Sequence, residues 1–171
     1  MSLFSMFKGD KGEQMTAHKA FAIALLYTMA ADGEMDPEEV GHLLAVIGGE
    51  RGSGGSIGVG ANNQALLNSA MKYTRTHSHE QFLAEATPVL TTAQRLCILM
   101  NLVDSALADG EAEPEERAFF DKVQKAFGIS DEDFRPYFQV IMMKNDRGVF
   151  IDQNHPMNQP GFSVALPGQA A

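Results

Sequence analysis

One acidic nonamer occurs twice in this chain, and the repetition constrains the fold more than any other feature. Residues 31–39 read "ADGEMDPEE" and residues 108–116 read "ADGEAEPEE", so the two copies differ at only two positions. Self-similarity of this kind, embedded in similar surroundings, indicates a duplicated supersecondary unit. The chain is therefore expected to contain two related halves that each build one acidic corner.

The sequences on both sides of the nonamers match as well. Upstream lie "HKAFAIALLYTMA" and "RLCILMNLVDSAL", which are apolar nearly all round and therefore typical of buried helices. Downstream lie "VGHLLAVIGG" and "RAFFDKVQKAFG", in which apolar residues recur at helical spacing and Leu43 corresponds to Phe120. Each repeat predicts a buried helix, an acidic corner and an amphipathic helix, in the halves 16–49 and 92–128.

Most of each corner is explained by the way helices end and begin. Gly33 and Gly110 suit the left-handed backbone conformation that commonly ends a helix. In the first copy, Asp36, Pro37 and Glu39 take the cap, the first helical position and the third position of a capping-box-like start. The second copy keeps the same order with a poorer cap residue. The presence of these residues is therefore explained without a bound ligand.

The helix signals leave Asp32 and Asp109 unexplained, because a carboxylate at a helix C-terminus faces the negative end of the helix dipole. In the register of an EF-hand loop, Asp32 takes the fifth position and Glu39 the twelfth, and Asp109 and Glu116 fit in the same way. The first and third positions lack ligands in both copies, so a self-sufficient EF-hand is disfavoured. The two corners are instead expected to share one or two divalent cations, calcium being favoured, through Asp32, Glu39, Asp109 and Glu116.

The distribution of charge supports a special role for the corners. Ten of the 22 acidic residues lie in the two nonamers, and the remaining twelve nearly balance the 13 basic residues. Like charges at this density repel, so helix N-termini, nearby cations or a bound metal should compensate them. The net charge of −9 argues against a nucleic-acid partner and against electrostatic attachment to anionic lipid.

The rest of the chain predicts further helices and no sheet. They are expected at 62–75, from Ser78 to Pro88, from Thr91 or Thr92, and at 131–144 with Ser130 as the cap. The tail 145–171 contains three Pro and no helical period, so it is predicted to be irregular, with "GVFI" as a short extended piece. The fold is expected to be all-α with about seven helices in a single domain, residues 1–144, built around two pseudo-symmetric helical hairpins.

Other stretches that resemble functional motifs are weaker. The Gly-rich loop 48–63 lacks the dinucleotide-binding spacing and any Gly-Lys-Ser/Thr, so a flexible or functional loop is favoured over a phosphate site. Cys97 lies in an apolar run and is predicted to be a buried thiol. His77 and His79 are predicted to form a solvated cap region rather than a metal-ligand pair. No catalytic set can be assembled, so no enzyme activity is predicted, and no apolar run is long enough to span a membrane.

Two "ADG" corners, each between a buried apolar helix and an acidic helix start, resemble the TerB-like family. The closing "AFGISDEDFRPYF" is similar to the end of that family's second repeat, and the resemblance covers roughly residues 15–140. It implies an all-α bundle with an acidic metal-binding surface, and it places Asp32, Glu39, Asp109 and Glu116 on the motif positions. It also implies a bacterial tellurite-resistance or chemical-stress role near the inner face of the membrane. The Gly-rich loop and the Pro-rich tail depart from the family pattern.

The predicted function is therefore a non-enzymatic, metal-binding module of a tellurite-resistance or chemical-stress system. Its expected partners are proteins of a stress-response complex, and its expected location is the cytoplasm, with peripheral contact to the inner membrane as an option. The alternative is a metal-free helical adaptor whose acidic corners dock a basic partner protein. The sequence leaves the oligomeric state open, a dimer included.

Overall fold

The computed structural model describes residues 14–29, 63–107 and 114–164, and these residues form helices, turns and no strand. The predicted all-α class is thereby confirmed. The α-helices within these ranges are α1 (Ala17–Met29), α2 (Asn63–Thr74), α3 (His79–Ala86), α4 (Thr92–Ala106), α5 (Pro114–Phe127), α6 (Asp131–Asn145) and α7 (Gly148–Ile151). Two short 3-10 helices cover Thr87–Val89 and Pro156–Asn158. The first acidic corner, the helix predicted after it and the loop 48–63 lie outside the described residues, except for Asn63, which begins α2.

The first buried helix, α1, forms the centre of the bundle. Ten of its 13 residues are buried, including Lys19 and Thr28. It packs mainly against α2 and α4 and also touches α3 and α5. The Lys19 amine lies 5.7 Å from the centroid of the Tyr73 ring, a cation–π distance that helps to accommodate a charge in this position. The prediction of a helix that is buried nearly all round is confirmed for α1.

The second predicted buried helix, α4, is buried on one face only. That face is formed by Ile98, Leu99, Leu102 and Val103. The prediction of a buried thiol is wrong, because Cys97 is exposed. Cys97 and Asn101 are one turn apart on the outer side of the helix, where the Asn101 amide donates to the Cys97 carbonyl at 2.8 Å. Apolar residues occur nearly all round α4, but α1, α5 and α6 cover only its inner face.

The predicted helix starts are confirmed by side-chain caps. Ser78 and Gln81 form a reciprocal capping box at α3, with hydrogen bonds of 3.3 and 2.9 Å. Thr91 and Gln94 form the same arrangement at α4. Ser130 caps α6, and its hydroxyl oxygen accepts a hydrogen bond of 3.2 Å from the Asp133 N–H. Each cap satisfies one of the N–H groups that a helix start leaves without an intrahelical partner.

The segment after α6 departs from the sequence-based expectation. "GVFI" forms one helical turn, α7, so the prediction of an extended piece is wrong. The reason lies in side-chain hydrogen bonds that no periodicity shows: the Asp146 carboxylate accepts from the Gly148 N–H at 2.8 Å, and the Asn158 amide donates to the Val149 carbonyl at 2.8 Å. The boundaries predicted for the domain, 1–144, and for the tail, 145–171, stay predictions.

Candidate functional site

A cavity of about 600 Å³ opens at one end of the bundle, where the C-terminal ends of α1 and α4 meet the first two turns of α5. Helix α6 closes its outer side. Most of the wall is apolar, and charged side chains contribute at the α5 side. The lining residues are Thr28, Leu102, Val103, Ala106, Leu107, Glu116, Arg117, Phe120, Asp121, Phe138 and Met142. A concave apolar pocket with a few polar groups is the usual form of a binding site.

One of the four predicted metal ligands lies in this wall. Glu116 is half-buried in the first turn of α5, where a carboxylate also interacts favourably with the positive end of the helix dipole. The other three, Asp32, Glu39 and Asp109, lie outside the described residues. Within the described ranges no group of three or more His, Cys, Asp or Glu side chains could hold a metal ion. The four-residue ligand set therefore stays a prediction.

Asp104 lies next to the cavity-lining residues of α4 and has a structural role. Its two carboxylate oxygens each lie 2.6 Å from the Lys144 amine, and one of them accepts from the Asn145 amide at 2.8 Å. These contacts fasten the last turn of α6 to α4. The ion pair is largely exposed, so its contribution to stability is expected to be no more than about 1 kcal/mol.

A second cluster of ionisable groups is aromatic and lies among α1, α2, α3 and α5. The His79 ring packs against the rings of Tyr27 and Phe119, with centroids 4.4 and 4.6 Å apart, and His77 stacks on Tyr73 at 3.9 Å. Both histidines are half-buried. The predicted cap region is present, because Ser78 between the two histidines caps α3, but both side chains are less solvated than predicted. Rings that are distant in sequence pack on His79, whereas the ring on His77 is that of Tyr73, four residues before it.

The tyrosines of this cluster are held in their neutral form. Burial raises the pKa of Tyr27 to about 12, and the Glu80 carboxylate adds to the shift. The Tyr27 hydroxyl donates to the His77 carbonyl at 2.8 Å. Burial also raises the pKa of Tyr73, whose hydroxyl donates to the Glu85 carboxylate at 3.0 Å. Both phenols therefore act as hydrogen-bond donors that fix the packing of the bundle.

The environment of His79 predicts a pH dependence of stability. Burial, followed by the positive charge of Lys122, lowers the pKa of His79 below its ordinary value of 6.5, and Glu80 opposes this only in part. The unfolded chain then binds a proton that the folded chain resists, so stability is expected to fall as the pH decreases from 6.5 toward the lowered pKa. Urea unfolding between about pH 5.5 and 7.5 measures this dependence. His79→Gln should flatten it, and an equal slope in both proteins would contradict the assignment.

None of the helices in residues 14–29, 63–107 and 114–164 combines the length and the apolarity that a membrane crossing requires. The described part of the chain is thus a helical bundle with an apolar cavity at the end where the second acidic corner begins. This arrangement defines the class as an all-α module with a duplicated helix–corner sequence. The sequence profile described as "Tellurite resistance protein TerB" matches residues 18–137.

The chain belongs to the tellurite resistance protein TerB family, which confirms the TerB-like resemblance and makes the chain a module associated with tellurite resistance. Comparison with curated proteins and with solved structures found no match. The family match runs from the start of α1 into α6, so α7 and the segment that follows it lie beyond the match.

The sequence predicts Glu116 as a metal ligand, which stays a prediction, and it gives no sign of the cavity in whose wall Glu116 lies. Phe138 and Met142 form its outer wall, and they lie on α6, outside both repeats. The signal at these two residues is partial exposure of an apolar side chain: Phe138 is 40% exposed and Met142 is 38% exposed. That signal requires coordinates, because the sequence alone does not distinguish these two apolar residues from core residues.

Proposed function

We propose that this chain is a non-catalytic module that binds a divalent cation, calcium being favoured, within a tellurite-resistance or chemical-stress system. The proposed ligands are Asp32, Glu39, Asp109 and Glu116. The module would act in the cytoplasm, near the inner face of the membrane, together with protein partners of the same system. Family membership supports the setting, and the geometry around the cavity supports the shared site.

One observation carries the proposal: the C-terminal ends of α1 and α4 line the same cavity as Glu116. Thr28 is the penultimate residue of α1, and Leu107 directly follows α4. A residue spans at most about 3.6 Å, so Asp109 can lie no more than about 7 Å from Leu107 along the chain. By the same limit, Asp32 is at most about 11 Å from Met29. These chain lengths allow both acidic corners to reach a shared ion at the cavity, which is what the proposal requires.

The donor chemistry available at this end of the bundle fits a hard cation. Glu116 and Asp121 are lining residues of the cavity, and carboxylate oxygens are the ligands that calcium prefers. The Thr28 hydroxyl donates its hydrogen to the Ala24 carbonyl at 3.3 Å, so its oxygen keeps lone pairs for an acceptor role. A bound cation would offset the mutual repulsion of the corner carboxylates and so stabilise the folded chain.

The test is a calcium titration of the full chain in chelator-treated buffer, followed by calorimetry and by thermal unfolding. Calcium at 100 times its dissociation constant should raise the free energy of unfolding by about 2.7 kcal/mol. Asp32→Ala combined with Asp109→Ala should abolish the heat and the shift in Tm. Absence of both signals in the unaltered chain would refute the metal site.

A matched pair of variants separates coordination from general charge. Glu115 and Glu116 are neighbours in the first turn of α5, but Glu115 is exposed and only Glu116 is part of the cavity wall. Glu116→Gln should weaken calcium binding, whereas Glu115→Gln should leave it nearly unchanged. Equal effects would indicate a diffuse acidic surface. Capture of a basic protein that is sensitive to salt and insensitive to calcium would favour the metal-free adaptor.

A further inference from the structure

Two neighbouring apolar side chains on α7 extend almost completely into solvent. Phe150 is 91% exposed and Ile151 is 85% exposed, and we call this pair the knob. Among the described residues the next most exposed large apolar side chain is Phe162, at 43%. Single exposed apolar residues are ordinary on protein surfaces, but two large adjacent ones with this exposure indicate a contact surface.

The knob is held in place by a hydrogen-bonded turn. The Asp146 carboxylate pairs with the His155 ring at 2.9 Å and accepts from the Gly148 N–H at 2.8 Å. The Asn158 amide donates to two carbonyls of the turn, at 2.8 and 3.0 Å. Because these bonds already order the backbone that carries the knob, binding through the knob loses less conformational entropy than binding through a free tail.

The knob follows α6 at the end of the bundle where the cavity opens. Met142 lines the cavity one turn before the end of α6, and Lys144 and Asn145 bind Asp104 on α4. The chain therefore leaves α6 at the same end of the bundle as the cavity, and α7 begins three residues later. On α6, the partly exposed side chains of Phe138 and Met142 extend the apolar wall of the cavity toward solvent.

We propose that the knob of one copy inserts into the cavity of a second copy, and that the reciprocal insertion forms a twofold dimer. A protruding apolar pair and an apolar cavity on one end of the same chain make a self-complementary surface, which is the requirement of an isologous interface. In the described structure the knob is in solvent and does not occupy the cavity of its own chain.

Charges of both signs flank the knob and line the cavity, so opposite charges can pair across the proposed interface. The charged side chains in the cavity wall are Glu116, Arg117 and Asp121. The knob has Arg147 before it in the chain and Asp152 directly after it, both exposed. In the dimer, Arg147 would face the carboxylates in the cavity wall of the other copy. Asp152 would face the guanidinium of Arg117 in the same wall. Such rim charges contribute mainly to orientation and to the rate of association.

Sedimentation velocity of the full chain over a concentration series tests the proposal. The unaltered chain should show a reversible monomer–dimer equilibrium. Phe150→Ser combined with Ile151→Ser should raise the dimer dissociation constant by about 100-fold or more, because buried apolar anchors dominate interface energetics. Val89→Ser is the control, since Val89 is 42% exposed on the 3-10 helix Thr87–Val89 and lines no part of the cavity. All variants should keep the helical circular dichroism spectrum.

A mixing experiment tests the reciprocal geometry. Met142→Glu places a charge in the cavity wall and should also weaken the dimer. The knob variant has an intact cavity and the Met142→Glu variant has an intact knob, so their mixture can form a heterodimer with one of two contacts intact. The mixture should therefore associate more strongly than either variant alone. A chain that stays monomeric at all concentrations, or a mixture without this gain, overturns the proposal. Knob-dependent binding to phosphatidylcholine vesicles by a monomeric chain would assign the knob to a lipid surface instead.

Discussion

Replacing Phe82 with Ala is expected to lower the free energy of unfolding by about 3–5 kcal/mol, the usual cost of removing a fully buried aromatic ring. Phe82 has no exposed surface, and its ring lies 5.6 Å from the Tyr27 ring and 6.5 Å from the Tyr73 ring, measured between centroids. These two tyrosines belong to α1 and α2, so the ring joins three helices. A loss of this size is a large part of the total stability of an ordinary domain, which is about 5–15 kcal/mol.

Urea unfolding followed by far-ultraviolet circular dichroism measures this loss. The matched control is Phe150→Ala, which removes the same atoms from a side chain that is 91% exposed. In protein dilute enough to be monomeric, the control should change the free energy of unfolding by less than about 0.5 kcal/mol. Comparable losses in the two variants would mean that burial of the Phe82 ring does not determine the stability of the bundle.

The parts of the fold that could be predicted from the sequence are those that local chemistry determines. Ser78, Thr91 and Ser130 cap three helices whose starts the sequence predicted, because a cap depends only on residues within one turn. The end of α5 is equally local: Gly128 has a φ of +67°, and the Ile129 N–H donates to the Gln124 carbonyl at 3.3 Å. These signals do not require knowledge of the remaining fold.

The wrong predictions concern contacts that the apolar pattern of a segment does not show. The exposure of Cys97 depends on which face of α4 the other helices cover, and an apolar run does not specify that face. His79 is enclosed by Tyr27 and Phe119, which are far from it in sequence. The turn of α7 depends on Asn158, which lies seven residues beyond its end. In each case a side-chain contact outside the helical pattern decides the outcome.

The candidate site was accessible to sequence reasoning only in part. The duplicated corner led to the prediction of Glu116, because a carboxylate occurs at the same position in both copies of the motif. The cavity in whose wall Glu116 lies is completed by Phe138 and Met142. These residues belong to α6, and no repeat relates α6 to the corners. A motif can thus indicate a ligand, while the shape of its surroundings is decided by how the helices pack.

Arg95 is expected to be a second position of large effect, and Arg95→Ala should cost about 3 kcal/mol of stability. Its guanidinium donates to the Phe127 carbonyl at 3.0 Å and to the Thr87 carbonyl at 2.7 Å. Hydrogen bonds from a charged donor contribute about 1.5–3 kcal/mol each, and their loss leaves two carbonyls with one partner fewer. Phe127 is the last residue of α5, where a positive charge also interacts favourably with the helix dipole.

Two substitutions of Arg95 separate the effect of its two hydrogen bonds from the effect of its positive charge. Lysine keeps the positive charge but is a point charge without the planar fork of arginine, so it cannot bridge both carbonyls in the same geometry. Arg95→Lys should therefore lose about half as much stability as Arg95→Ala. The control is Arg135→Ala, which removes an exposed arginine of α6. Its free energy of unfolding should stay within about 0.5 kcal/mol of that of the unaltered chain. The Arg95 Nε is buried and has no hydrogen-bond partner among the described residues, so the two Nη donors carry the contact. Full recovery by lysine would show that charge at the end of α5 is sufficient, and that the bridge between α5 and the 3-10 helix Thr87–Val89 contributes little.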